Sequence, residues 1–120
     1  PLFVANPDLV APHQNKFSIE PAYYVSLLIK NGVHLPFWFG KPFSTIFEIA
    51  VNRINELSGR YVPLSRIGMV GDTLHTDILG ANSFGLKSIL MTKYGLLRDS
   101  NIGEMIKKTN IIPDYIVEGP

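Results

Sequence analysis

Two acids lie five positions apart in Met69-Val70-Gly71-Asp72-Thr73-Leu74-His75-Thr76-Asp77, across what reads as a strand-to-helix turn. Hard divalent cations such as magnesium take oxygen ligands, usually one or two carboxylates completed by water and a substrate phosphate, so a carboxylate pair at a strand end suits such an ion. Gly71 would let the backbone approach closely. Asp77 has a second, purely structural reading, because an acid in the first turn of a helix gains from the helix dipole. Upstream, Gly40-Lys41-Pro42 opens another helix, where a lysine can act as a compact point charge for phosphate or stand solvated on the surface. Asn6-Pro7-Asp8 is a turn cluster in which the Asn and Asp side chains can bond their own backbone. His13, His34 and His75 share no metal-ligand spacing, and His75 beside the acid turn reads as a substrate-facing or solvent residue. The chain has no Gly-x-Gly-x-x-Gly, no ATPase-type phosphate loop and no nucleophile-elbow serine.

The elements that must position these groups follow from periodicity. Residues 2–5 read as a short buried strand ended by the Asn6-Pro7-Asp8 turn, with a polar loop through Lys16. Between Glu20 and Lys30, Tyr23, Tyr24, Leu27 and Leu28 recur at helical spacing, Pro21 suits a first turn and Asn31-Gly32 is a stop. Phe37-Trp38-Phe39 is an aromatic run whose first two residues are expected in the core. Phe47, Ala50, Val51, Ile54 and Leu57 mark one face of a helix ending before Gly59. A strand over 66–70 places Gly71-Asp72 at its C-terminal end, where open α/β sheets carry their chemistry. A helix over 76–84 tolerates Gly80 at about 1 kcal/mol relative to Ala, and Gly85 is its left-handed stop. A strand over 88–92, a helix near 102–108 and a strand over 115–117 complete an alternation that predicts a parallel sheet with helical crossovers.

Composition sets the frame. A chain of 120 residues fits one small domain, able to bury roughly two-thirds of its unfolded surface. With 46% hydrophobic and 18% charged residues the chain belongs with compact domains. Its mean hydropathy of +0.16 suggests a strongly buried sheet or an apolar surface that something else covers, and self-association is one such cover. The net charge is +1 and the eleven Lys and Arg are dispersed, so nucleic acid is not an expected partner. Without cysteine there is neither a disulfide framework nor a thiolate metal site, which fits a reducing, cytoplasmic setting. No apolar run reaches bilayer-spanning length, so no membrane partner is expected. The chain opens on Pro1 and runs at once into a strand, so the natural N-terminus is expected to lie upstream.

The acid turn, with its apolar strand, Gly71-Asp72, short spacer, Asp77 and Gly80-Ala81 helix, closely resembles the fourth motif of the haloacid dehalogenase (HAD) superfamily. Gly40-Lys41-Pro42 is similar to that family's third motif, and the order Asn6-Pro7-Asp8, Gly40-Lys41-Pro42, Gly71-Asp72 and Asp77 resembles the branch of phosphoglycolate, p-nitrophenyl phosphate and sugar phosphatases. The resemblance implies an α/β, Rossmann-like parallel sheet with flanking helices, with residues 1–36 as the end of a cap domain and 37–120 as the C-terminal half of the catalytic core. It implies Asp72 as a magnesium ligand, Asp77 as a ligand or as the residue orienting a metal-bound water, and Lys41 as the catalytic cation that steadies the nucleophile and the phosphoryl charge. Asn6 and Asp8, with Lys41, would meet a small phosphorylated metabolite. The family attacks phosphorus with an aspartate from an Asp-x-Asp motif, forming an aspartyl-phosphate. No Asp-x-Asp occurs in this chain, so the expectation is a C-terminal part that does not turn over substrate by itself. Two rivals remain: a non-catalytic relative that keeps the fold for binding or assembly, which the upstream coding sequence would reveal, and a receiver-like domain. Receivers place their paired acids near the first strand, against the position of this pair.

Overall fold

The computed structural model describes residues 1–13 and 16–119. In chain order the elements are β1 (Phe3–Val4), β2 (Val10–His13), β3 (Lys16–Ile19), α1 (Pro21–Lys30), β4 (Phe37–Trp38) and α2 (Ser44–Ser58). There follow a 3-10 turn (Leu64–Arg66), β5 (Gly68–Gly71), a π-helical turn (Leu74–Ile78), α3 (Leu79–Phe84), β6 (Lys87–Met91), α4 (Ile102–Thr109) and β7 (Tyr115–Val117). The expected α/β alternation holds from β4 onward. Strands β5, β6 and β7 form a parallel sheet with β6 in the middle, Gly71 opposite Leu90 and Met91 opposite Val117. Parallel neighbours need a crossover, and α3 and α4 supply the two.

Two apolar clusters build the core. In one, Phe47 and Val51 of α2 meet Ile67, Ala81 and Leu86. Gly80 permits that contact, since a Cβ there would lie 2.5 Å from the Phe47 ring; the glycine is a point of close helix approach as well as a weak helix former. In the other, Leu74, Ile78 and Leu90 meet Leu97 and Ile111, with α4 laid over them through Ile102, Met105 and Ile106. Asn101 caps α4 by accepting from the Glu104 N–H at 3.2 Å. Asp114 fastens β7 to β6: its Oδ2 accepts from the Ser88 N–H at 2.9 Å and its Oδ1 from Lys87 Nζ at 2.7 Å.

Two sequence expectations need correction. The polar loop through Lys16 is, in its described part, the antiparallel hairpin β2–β3, with Val10 opposite Ile19 and His13 opposite Lys16; residues 14 and 15 lie outside the described residues. The helix expected between Glu20 and Lys30 forms as α1; its stripe of Tyr23, Tyr24, Leu27 and Leu28 faces out, and Ala22 and Val25 are the buried residues. Helical spacing selects residues that share a face, but no described element packs over this one. Phe37 is likewise no core residue: it is 58% exposed and stacks on Phe3 of the parallel partner strand β1, while Trp38 is half-buried. The β1–β4 pairing ties residues on either side of position 36 into one small sheet. Among the described residues no helix is long and apolar enough to cross a membrane.

Candidate functional site

The site is built at the end of β5. Instead of passing straight into an α-helix, the chain makes one wide turn in which the Asp77 and Ile78 N–H groups both donate to Thr73 O, at 3.1 and 3.2 Å. Such π-turns recur at functional sites. The effect is local and specific: Asp77, 2% exposed, is folded back beneath Gly71. A Cβ on Gly71 would come within 2.2 Å of the Asp77 side chain, so only glycine fits there.

Asp77 is then saturated by donors. Its Oδ1 accepts from Lys41 Nζ in an ion pair that spans 36 residues of sequence. Its Oδ2 accepts the Asp72 and Thr73 N–H groups at 3.1 and 3.2 Å. The ammonium of Lys41 is thereby held against the end of β5, with its side chain 41% exposed and able to meet a further anion.

Asp72 is placed differently. It is half-buried, and among the described residues one hydrogen bond reaches its carboxylate, from the Leu96 N–H to Oδ2 at 2.8 Å. The loop after β6 approaches this closely because Gly95, at φ +79°, has no side chain; a Cβ would sit 1.7 Å from Asp72 Oδ2. The sequence reading missed Gly95 and Leu96. The available signal was a glycine soon after the end of β6, at the same sheet edge as the acid turn.

Asp8 joins the cluster and Asn6 supports it. Asn6 Oδ1 accepts the Asp8 N–H at 2.9 Å, the turn bond expected of this tripeptide, and its amide donates to Glu20 at 3.2 Å. Burial pushes the Asp8 carboxyl above its ordinary range; Lys41 opposes this, while Asp77, Glu20 and Asp72 add to it. Gly40 makes the neighbourhood possible, since a Cβ there would collide with Pro7 and with the Ala5 carbonyl. The structure therefore brings Asp8, Lys41, Asp72 and Asp77 together, with Asn6 in a holding position. His13, His34 and His75 are all exposed, and of the three His75 lines the cavity beside the acid turn.

The donor set suits magnesium as a partial shell. Among the described residues no three His, Cys, Asp or Glu side chains form a complete cage, and magnesium ordinarily takes only one or two carboxylates from a protein. Asp72 has coordination capacity to spare; Asp77 is committed to Lys41 and two amides.

Comparison with known proteins bears on the family and the fold. The HAD-hydrolase-like family model matches residues 38–119. A structure described as a possible sugar phosphatase of the HAD superfamily, from Cytophaga hutchinsonii, superposes with TM-score 0.85 at 34% identity, over 99% of this chain and 41% of that one. A p-nitrophenyl phosphatase from Archaeoglobus fulgidus gives TM-score 0.80 at 21% identity, over 98% of this chain and 42% of that one. A Pyrococcus horikoshii protein gives 0.74 at 28% identity, over 98% of this chain and 40% of that one. The chain thus spans about two-fifths of the length of these structures. Among curated proteins, no sequence matches it. Because the family model covers the lysine turn, the acid turn and the whole parallel sheet, the chain belongs to the HAD-hydrolase-like family.

Proposed function

We propose that this chain forms the cation- and phosphate-holding part of a magnesium-dependent phosphatase that hydrolyses small phosphate monoesters, with the nucleophilic aspartate supplied from outside these residues. The observation that carries the reading is the Lys41–Asp77 ion pair closed across the end of β5, beside the less committed carboxylate of Asp72. Asp72 would hold magnesium, which when bound supplies positive charge against the phosphoryl oxygens. Asp77 works mainly as a positioning residue: it fixes the Lys41 ammonium and the 71–73 turn, and bears on the ion through the backbone it orients. Lys41 offers its exposed charge to a phosphate oxygen, lowering the cost of charge build-up during transfer. Asp8 and Asn6 shape the side of the site that faces the substrate.

Support for the phosphatase reading also comes from the neighbours, one described as a possible sugar phosphatase and one as a p-nitrophenyl phosphatase. Residues 1–36 would then be the end of a cap and 37–120 the C-terminal half of the core, in a cytoplasmic enzyme. The absence of Asp-x-Asp predicts that the 120-residue chain itself releases no product from p-nitrophenyl phosphate with magnesium. Calorimetric titration tests the binding half: inorganic phosphate should bind more tightly with magnesium present, and Asp72→Asn should abolish that coupling. Magnesium-independent phosphate binding, unchanged in Asp72→Asn, would overturn the assignment.

A further inference from the structure

We propose that the cavity beside the acid turn receives the organic half of the ester, and that this half is an aromatic or otherwise apolar group, not a polyhydroxylated sugar. The inference rests on the phosphatase reading and adds the class of substrate.

The cavity encloses about 520 Å³, within the usual range of small-molecule sites. Its walls are chemically divided. Thr73, His75 and Thr76 come from the acid turn, and Asp8 is the acid whose carboxyl feels Lys41, Asp72 and Asp77. Apart from Ser26 of α1, whose hydroxyl donates to the Tyr23 carbonyl at 2.6 Å, the remaining wall is apolar, with Val10 from the hairpin, Ile29 from α1, and Trp38 and Phe43 from either side of the lysine turn. Trp38 and Phe43 stack with ring centroids 5.7 Å apart and planes 7° from parallel, and Phe43 stays 40% exposed. A flat ring or alkyl group laid against this pair removes apolar surface from water on both sides. A sugar placed there would lose hydration from hydroxyls that the aromatic wall cannot bond. Asp8 and Pro7 line both this cavity and the adjoining one that holds Lys41, so the two share a wall across which the ester group of a phosphate on Lys41 would reach the rings.

The test uses the 120-residue chain with magnesium and three probes: inorganic phosphate, phenyl phosphate and glucose 6-phosphate. Trp38, the single tryptophan, reports on the cavity by fluorescence, and calorimetry gives affinities. Phenyl phosphate should bind about tenfold more tightly than glucose 6-phosphate, the gain expected from burying one ring, and should change Trp38 emission. In Phe43→Ala, or in Val10→Ser on the hairpin part of the apolar wall should the first variant fail to fold, the preference should fall to within about threefold. Equal binding of all three probes would overturn the cavity proposal and leave the phosphate site standing. Binding of none would overturn both, and a phenyl preference with silent Trp38 emission would place the ring elsewhere and overturn the proposal.

Discussion

The acid turn and the N-terminal hairpin contribute to one site from unequal foundations. Around the acid turn, Leu74, Ile78, Ala81 and Leu90 are at most 1% exposed, and every strand of the sheet is tied to a neighbour. In the hairpin and its approach, Leu9, Phe17 and Ile19 are each more than half exposed, and β2–β3 is an isolated two-stranded unit. A two-stranded hairpin alone is marginally stable in water. The charged groups that need fixed geometry therefore sit on the self-supporting region, while one wall of the cavity stands on the region that lacks its own core.

Substitutions should expose that inequality. The largest effect is expected for Ile78→Ala, which empties a fully buried position and should cost about 2–5 kcal/mol in urea unfolding. Gly71→Ala comes next, at about 1–3 kcal/mol for forcing a methyl into the Asp77 side chain; because it displaces Asp77 it should also loosen Lys41, seen as weaker phosphate binding. A smaller, pH-dependent effect belongs to the β6–β7 tie. The Lys87 ammonium, and after it the Ser88 N–H, hold the Asp114 carboxyl below its ordinary value of 3.8. That stabilisation is present above pH 3.8 and is lost as pH falls through the depressed folded value. The stability difference between wild type and Asp114→Asn should therefore shrink on acidification below that point. Lys87 is raised above 10.5 chiefly by its bond to Asp114, so its share persists below pH 10.5 and fades as pH climbs through the raised value. The smallest effect is expected for Phe17→Ala, 65% exposed on β3, which should stay within about 0.5 kcal/mol. Hydrogen exchange would sharpen the contrast: amides of β2 and β3 should exchange by local opening, and those of β6 only on global unfolding. Equal protection in the two regions would erase the distinction.

What could be read in the sequence divides along the same line. The helix α2, the strands β5, β6 and β7 and the Gly71-Asp72 and Asp77 turn follow from local signals, namely an apolar run, a glycine stop and an acid at a strand end. The hairpin was hidden by Pro12, which argues against a strand unless the strand lies at an edge, as it does here opposite Phe17. The outward stripe of α1 shows the limit of periodicity: it identifies residues on a shared face and says nothing of what covers them. Gly95 and Leu96 were missed because their approach to Asp72 crosses 24 residues of sequence, and no local pattern records it. The π-turn is a further case, since a one-residue widening of a helix start leaves no compositional mark, yet it is what turns Asp77 back toward Lys41.

A crystal structure of the 120-residue chain grown with magnesium and inorganic phosphate tests the central claim most directly. A cation on the Asp72 carboxylate, a phosphate oxygen on Lys41 Nζ and an intact Lys41–Asp77 pair are the predicted result. A cation bound away from Asp72, or phosphate settled on another face with Lys41 turned to solvent, would contradict it.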